Sequence, residues 1–219
     1  MTGAAVDAPA AIIFDLDGVL VDSAAHHRAA WLSLLEELDV TPPREPWRLT
    51  IGRPAEEAVA LLLGREVSES EARRLARRKR EHYVRHARRG TMPVAGVRAF
   101  VHELVQREVA RAVGTSATRR DAVRLIGAIG LTELFDVVVT ADDVDWGKPH
   151  PEVYVKAADA LGVLADRCLV FEDAVIGVQA ARAAGMRAIG VTTSYTAVEL
   201  IEAGADRAIS DFVELSWPP

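Results

Sequence analysis

The chain has 219 residues, half of them hydrophobic and only 5% aromatic, and carries a net charge of -6. That is enough for one large domain, or for a core with a smaller module, and the acidic balance excludes a whole-chain case for nucleic-acid binding. A lone Cys168 excludes a disulfide framework, "MTGAAVDAPA" lacks a signal-peptide pattern, and no apolar run is long enough to span a membrane. A cytoplasmic protein without membrane association is expected.

"AIIFD" (11–15) is predicted as the first strand. Helical patterns follow at 26–38, 53–63 and 68–89, the first two separated by Pro42, Pro43 and Pro46, with no strand signal before 109. Strands are then predicted at 109–114, 136–140, 167–171, 187–191 and 207–209, alternating with helices at 118–129, 151–162, 174–184 and 196–203. Gly130, Gly162 and Gly185 follow three of these helices, where a C-terminal cap prefers glycine. Several strands are continuous apolar runs, as buried parallel strands are. The fold class is therefore α/β: a Rossmann-like, doubly wound parallel sheet with an inserted helical cap domain. The expected division is a core of 11–22 and 93–219 and a cap of 23–92, placed over the carboxyl end of the sheet where such folds bind ligands.

Residues 71–90 carry nine Lys/Arg against two Glu. This reads either as a solvated helix face or as a positive lid that draws in an anionic substrate. The four tryptophans show no stacking pattern. Cys168, within the apolar "RCLVF", reads as core packing.

The chemistry starts at "AAIIFDLDGVLVDS" (10–23), where Asp15, Asp17 and Asp22 follow a strand that must be buried. Like charges so close repel and are costly to desolvate. A divalent cation and a phosphate would offset that cost. Asp15 and Asp17 can face the same crevice, serve as hard ligands for Mg²⁺, or attack phosphorus. Gly18 allows a sharp turn behind them. Read alone, "FDLDG" could equally be a surface turn.

Three more signals fall at strand ends. Thr115 and Ser116 in "VGTSATRRD" offer hydroxyls at a helix start, either for an anion or as ordinary caps. Lys148 in "DWGKPHPEVY" can neutralise a phosphate or an aspartate. Glu172 and Asp173 in "LVFEDAVIG" have no basic residue near them in sequence, so burying both would be costly without a metal.

Taken together, these motifs resemble those of the haloacid dehalogenase-like hydrolases that carry a small helical cap after the first motif. The resemblance implies that Asp15 is the nucleophile and Asp17 the acid/base. It further implies that Thr115 and Lys148 hold the phosphoryl group with Ser116 beside them. Mg²⁺ would lie between the Asp15 carboxylate, the Asp17 carbonyl and Asp173, with Glu172 acting through water. The second acid, Asp17, implies phosphoryl transfer in place of dehalogenation, and its role calls for a raised pKa. His27 and Lys79 match cap positions of β-phosphoglucomutases, but Ala55 stands where those enzymes carry an arginine, and Arg53 lies nearby. The expected function is a Mg²⁺-dependent phosphatase for a small phosphorylated metabolite, a sugar or polyol phosphate, acting as a monomer or weak dimer. A sugar-phosphate mutase is the alternative enzyme, and a phospho-ligand binder without turnover is the alternative class.

Overall fold

The computed structural model describes residues 8–87 and 90–219. Six parallel strands form one sheet: β1 (Ala11–Phe14), β4 (Ala110–Gly114), β5 (Val137–Val139), β6 (Cys168–Glu172), β7 (Arg187–Val191) and β8 (Arg207–Ile209). Their order is β5-β4-β1-β6-β7-β8. The chain winds outward from β1 in both directions, so the switch point lies at the carboxyl end of β1, between β4 and β6. This is the predicted doubly wound sheet.

The continuous apolar strands are explained by cover on both faces. Ile12 and Phe14 of β1 enter a cluster with α4 (Val97–Gln106) and α5 (Arg119–Ala128). Ala11 and Ile13 enter the opposite cluster, with α6 (Glu152–Leu161), α7 (Val175–Ala183) and α8 (Ala197–Glu202). Phe14 and Phe171 are register partners on β1 and β6 and stack at 5.3 Å. The next residues, Asp15 and Glu172, therefore emerge side by side toward the α6 face.

Sequence reading missed two features. Helix α4 was not predicted, although Val97, Phe100, Val101 and Leu104 recur at helical spacing and are all buried. A two-residue antiparallel ribbon, β2 (Val21–Asp22) with β3 (Met92–Pro93), frames the inserted segment. It puts Asp22 on an exposed edge, so only two of the first three aspartates reach the crevice.

Between the ribbon strands lie α1 (Ala24–Glu37), α2 (Ala55–Leu63) and α3 (Glu69–His86). They pack on a separate cluster containing Trp31, Leu34, Leu35, Val59, Leu62 and Leu75. Residues 88–89 of the helix predicted to end at 89 lie outside the described residues. Helix α3 divides its charge. Arg73, Arg74 and Arg78 pair with surface glutamates, while Lys79 is buried and Arg77 and Arg80 face a cavity. The helix thus carries a solvated, ion-paired face and a basic face turned to the cavity. Among the described residues no helix is long and apolar enough to cross a membrane.

Candidate active site

Asp15, Glu172, Asp173 and Lys148 converge at the switch point, all with relative exposures of 7% or less. Lys148 comes from the loop before α6, and its ammonium donates to Asp15 Oδ1 at 2.7 Å and to Glu172 Oε1 at 2.6 Å. It also reaches the Gly114 carbonyl at the end of β4 and lies 4.8 Å from the Tyr154 ring centre. Burial alone would lower its pKa, but the two carboxylates raise it, so Lys148 stays charged.

Glu172 is held by three protein donors, Lys148 among them. Its Oε1 also accepts from the Tyr154 hydroxyl at 2.8 Å, and its Oε2 from the Ala174 N–H at 2.8 Å. Gly177 on α7 makes room for it, because a Cβ there would overlap the Glu172 carboxylate. Gly177→Ala is therefore expected to displace Glu172, lowering both Tm and activity, whereas Ala183→Gly on the same helix should lower Tm alone. Wild-type kcat in Gly177→Ala would contradict this placement.

Gly18 has φ +82°, and a Cβ there would meet the Asp173 carboxylate. The glycine read from "DLDG" is thus needed twice, for the turn and for the close approach. The Thr193 hydroxyl donates to the Gly18 carbonyl at 2.6 Å, with Asp173 Oδ2 3.3 Å from the same hydroxyl oxygen.

The charge balance tests whether a cation belongs here. Asp15, Glu172 and Asp173 each offer a carboxylate oxygen within 4.8 Å of the others. Lys148 is the one cation bonded to this group among the described residues, so surplus negative charge is buried. The consequence is a pKa for Asp15 of about 7, raised by burial and by Glu172 and Asp17 against the pull of Lys148. Burial, Glu172 and Asp15 likewise hold Asp173 well above the usual carboxylate range. A cluster of hard oxygens short of positive charge fits a divalent cation such as Mg²⁺.

Thr115 follows β4 and is buried, and its Oγ1 accepts from the Ala117 N–H at 3.0 Å. The cap of α5 is Thr118 instead, so the hydroxyl proton of Thr115 is not needed for capping. Ser116 gives its hydroxyl to the Gly52 carbonyl at 2.8 Å, fastening the loop before α2 to the core.

Asp17 departs from expectation. Its Oδ1 accepts from Ser23 Oγ at 2.6 Å and lies 3.0 Å from His27 Nε2. His27 Nδ1 in turn lies 2.6 Å from the buried Lys79 ammonium. Because an ammonium can only donate, His27 accepts at Nδ1 and donates from Nε2 to Asp17. Burial pushes Asp17 up, but His27, Ser23 and Lys79 outweigh it and hold the pKa at about 2. The raised pKa expected for Asp17 is thus corrected, because hydrogen bonds from His27 and Ser23 and the charge of Lys79 favour its ionised form. Burial lowers Lys79 to about 8, and burial and Lys79 together lower His27.

These groups open onto a cavity of about 810 Å³ between the carboxyl end of the sheet and the inserted helices. Asp15, Asp17, Thr115, Ser116, Asp173, His27, Arg53 and Lys79 all line it, whereas Lys148 and Glu172 sit behind Asp15. Sequence reading gave the tryptophans no stacking role, yet Arg28 lies over Trp47 at 3.7 Å and Lys79 over Trp31 at 5.0 Å. Tyr154, Thr193 and Ser23 were also missed. Nothing local marks them, since each acts on an acid far away or around a turn.

A parallel sheet with buried acids and one lysine at its switch point is the layout of an enzyme that handles an anion beside a cation. The chain belongs to the haloacid dehalogenase-like hydrolase family, whose model matches residues 12–191. It is 38% identical to a validoxylamine A 7'-phosphate phosphatase of Streptomyces hygroscopicus subsp. limoneus, over 94% of this chain and 95% of that one. It is 29% identical to the β-phosphoglucomutase of Bacillus subtilis, over 83% and 82%. Crystalline CbbY from Rhodobacter sphaeroides, in complex with phosphate, superposes with a TM-score of 0.82 at 30% identity, covering 95% and 96% of the two chains.

Proposed function

We propose that this phosphoric monoester hydrolase is a Mg²⁺-dependent phosphatase for a small sugar or polyol phosphate, with residues 23–92 as a cap over the core. The observation that carries this reading is the Lys148 bridge between Asp15 and Glu172, with Asp173 beside it at the switch point. Asp15, Asp173 and the Asp17 carbonyl would hold the cation directly, and Glu172, already bonded to three protein donors, would act through water. When bound, Mg²⁺ supplies charge that neutralises the carboxylates and the transferring oxygens.

The protein's own residues perform the transfer. An Asp15 oxygen attacks phosphorus in line while the bond to the alcohol oxygen breaks and Asp17 gives that oxygen a proton. Asp17 then takes a proton from water, whose oxygen attacks phosphorus and breaks the bond to Asp15, releasing phosphate. Thr115 and Lys148 stabilise the charge that develops. Asp17 can donate because the network loads it before the first step, as His27 Nε2 gives it a proton and Lys79 gives one to Nδ1. The proton it later takes from water serves the next donation or returns to Lys79 along the same path. Arg53 lies at the cavity wall for the leaving group.

The phosphatase reading is preferred over the mutase because α2 opens with Ala55, which brings no cation for a second phosphate. A buried, free Cys168 suits a reducing cytoplasm.

Turnover of p-nitrophenyl phosphate should vanish in EDTA and return with Mg²⁺. Excess Ca²⁺ should inhibit, because its larger coordination sphere spoils in-line geometry. The cation also has a thermal signature. With Asp15 raised to about 7, protons stabilise the metal-free fold at low pH, and that contribution is lost as pH rises through 7. The rise in Tm on adding Mg²⁺ should therefore grow from pH 5 to pH 8. Full activity in EDTA, or a Tm rise that does not depend on pH, would refute the metal assignment. Interconversion of β-glucose 1-phosphate and glucose 6-phosphate exceeding hydrolysis would favour the mutase.

A further inference from the structure

The cavity contains one polar group that neither the fold nor the chemistry above accounts for. Tyr83 on α3 lines it and is 4% exposed, and its buried hydroxyl has no hydrogen-bond partner among the described residues. Buried hydroxyls are almost always paired, and an unpaired one destabilises the fold. A phenylalanine would fill the same space without that cost, so packing does not explain the oxygen.

Its surroundings indicate what the oxygen could meet. The Tyr83 ring packs on His27 at 4.4 Å, with Lys79 5.5 Å above the ring centre. Across the seam, on α5, the Arg124 guanidinium lies 5.8 Å from the ring centre, near enough to the hydroxyl to oppose the rise in pKa that burial causes but outside hydrogen-bond geometry. Arg124 also lies 3.5 Å from Asp121, which holds Arg80 of α3 at 2.8 Å. All six residues line the cavity. Four belong to the inserted helices and two, Asp121 and Arg124, to α5 of the core.

The inserted helices are seated in this arrangement. Besides the Arg80–Asp121 pair, Ser116 holds Gly52, Arg48 reaches Glu199 at 2.5 Å, and the Tyr195 hydroxyl donates to the Arg48 carbonyl at 3.1 Å. The hydroxyl therefore remains unpaired even with the cap docked on the core.

We propose that Tyr83 is a specificity-determining residue: its hydroxyl, with Arg124 and Asp121, reads hydroxyl groups on the leaving group of the substrate. A phenolic O–H that can donate or accept, next to a guanidinium and a carboxylate, matches an alcohol-bearing carbon chain or ring. It has nothing to offer an aryl or plain alkyl group. This deepens the proposed phosphatase reading and rests on it.

The test compares wild type with Tyr83→Phe on hexose 6-phosphates, glycerol 3-phosphate and p-nitrophenyl phosphate, together with Tm. Wild type should prefer at least one hydroxylated phosphate over p-nitrophenyl phosphate in kcat/KM. In Tyr83→Phe the ratio of those two kcat/KM values should fall about tenfold or more, mostly through KM, because one hydrogen bond to the bound substrate is lost. Tm should stay level or rise, since the unpaired oxygen is gone. An unchanged ratio, whatever happens to Tm, overturns the proposal, as does a wild type without preference for hydroxylated substrates. Failure of the phosphatase reading would look different: no Mg²⁺-dependent turnover of p-nitrophenyl phosphate by the wild type.

Discussion

Asp15→Asn should abolish turnover, lowering kcat by more than about 10⁴-fold, while leaving the fold intact or slightly more stable. The amide keeps the shape of the side chain but loses the nucleophilic oxygen and its negative charge. The stability forecast follows from the charge balance. Asp15 is one of three buried carboxylates that share the charge of Lys148, and burial together with Glu172 and Asp17 already raises it to about 7. Removing its charge relieves repulsion, and Lys148 still holds Glu172 at 2.6 Å. Activity and Tm should therefore move apart: turnover is lost while Tm in EDTA is equal or higher. Substantial residual turnover would sink the aspartyl-phosphate mechanism. A collapse in Tm would mean that Asp15 is mainly the structural counter-ion of Lys148.

Three parts of this site were legible in the sequence for one reason: each is a polar residue at the end of a buried apolar run. Asp15 follows "AIIF", Thr115 follows β4, and Glu172 ends "CLVFE". A strand that must be buried makes any acid at its end conspicuous. Lys148 was legible for a weaker reason, as a single cation in a stiff loop, and its two partners are 133 and 24 residues away in sequence. The illegible part is what those groups meet in space. The pKa of Asp17 was expected to rise, from burial and neighbouring acids. It falls because Ser23, His27 and Lys79 turn toward it, and Lys79 arrives from a helix 52 residues beyond His27. Tyr154 and Tyr83 look like core aromatics in any periodicity argument. Only the fold shows that one hydroxyl is bonded to Glu172 and that the other has no hydrogen-bond partner among the described residues. Helix α4 differs from these, because its apolar spacing was present in the sequence and went unread.

The same network around Asp17 sets the second large effect. Asp17→Asn keeps side-chain oxygen for Ser23 and His27, so the local bonds and the fold should survive. What is lost is proton transfer, at two separate moments. With an alkyl phosphate the leaving alcohol must be protonated as its bond to phosphorus breaks, and kcat/KM should fall by about 10²- to 10⁴-fold. With p-nitrophenyl phosphate the leaving phenolate is stable without a proton, so attack by Asp15 proceeds nearly unimpeded. The second step still needs a base for water, and it stalls. The variant should therefore release a burst of about one nitrophenolate per enzyme and then turn over slowly. Lys79→Met provides the companion measurement. Lys79 titrates at about 8, so wild-type turnover of an alkyl phosphate should decline as pH rises through 8 and the network loses its proton. That limb should be missing from the Lys79→Met profile, whose rate is already low. Equal losses on both substrates, with no burst in Asp17→Asn, would show that Asp17 carries no proton in either step and holds only the turn between β1 and β2.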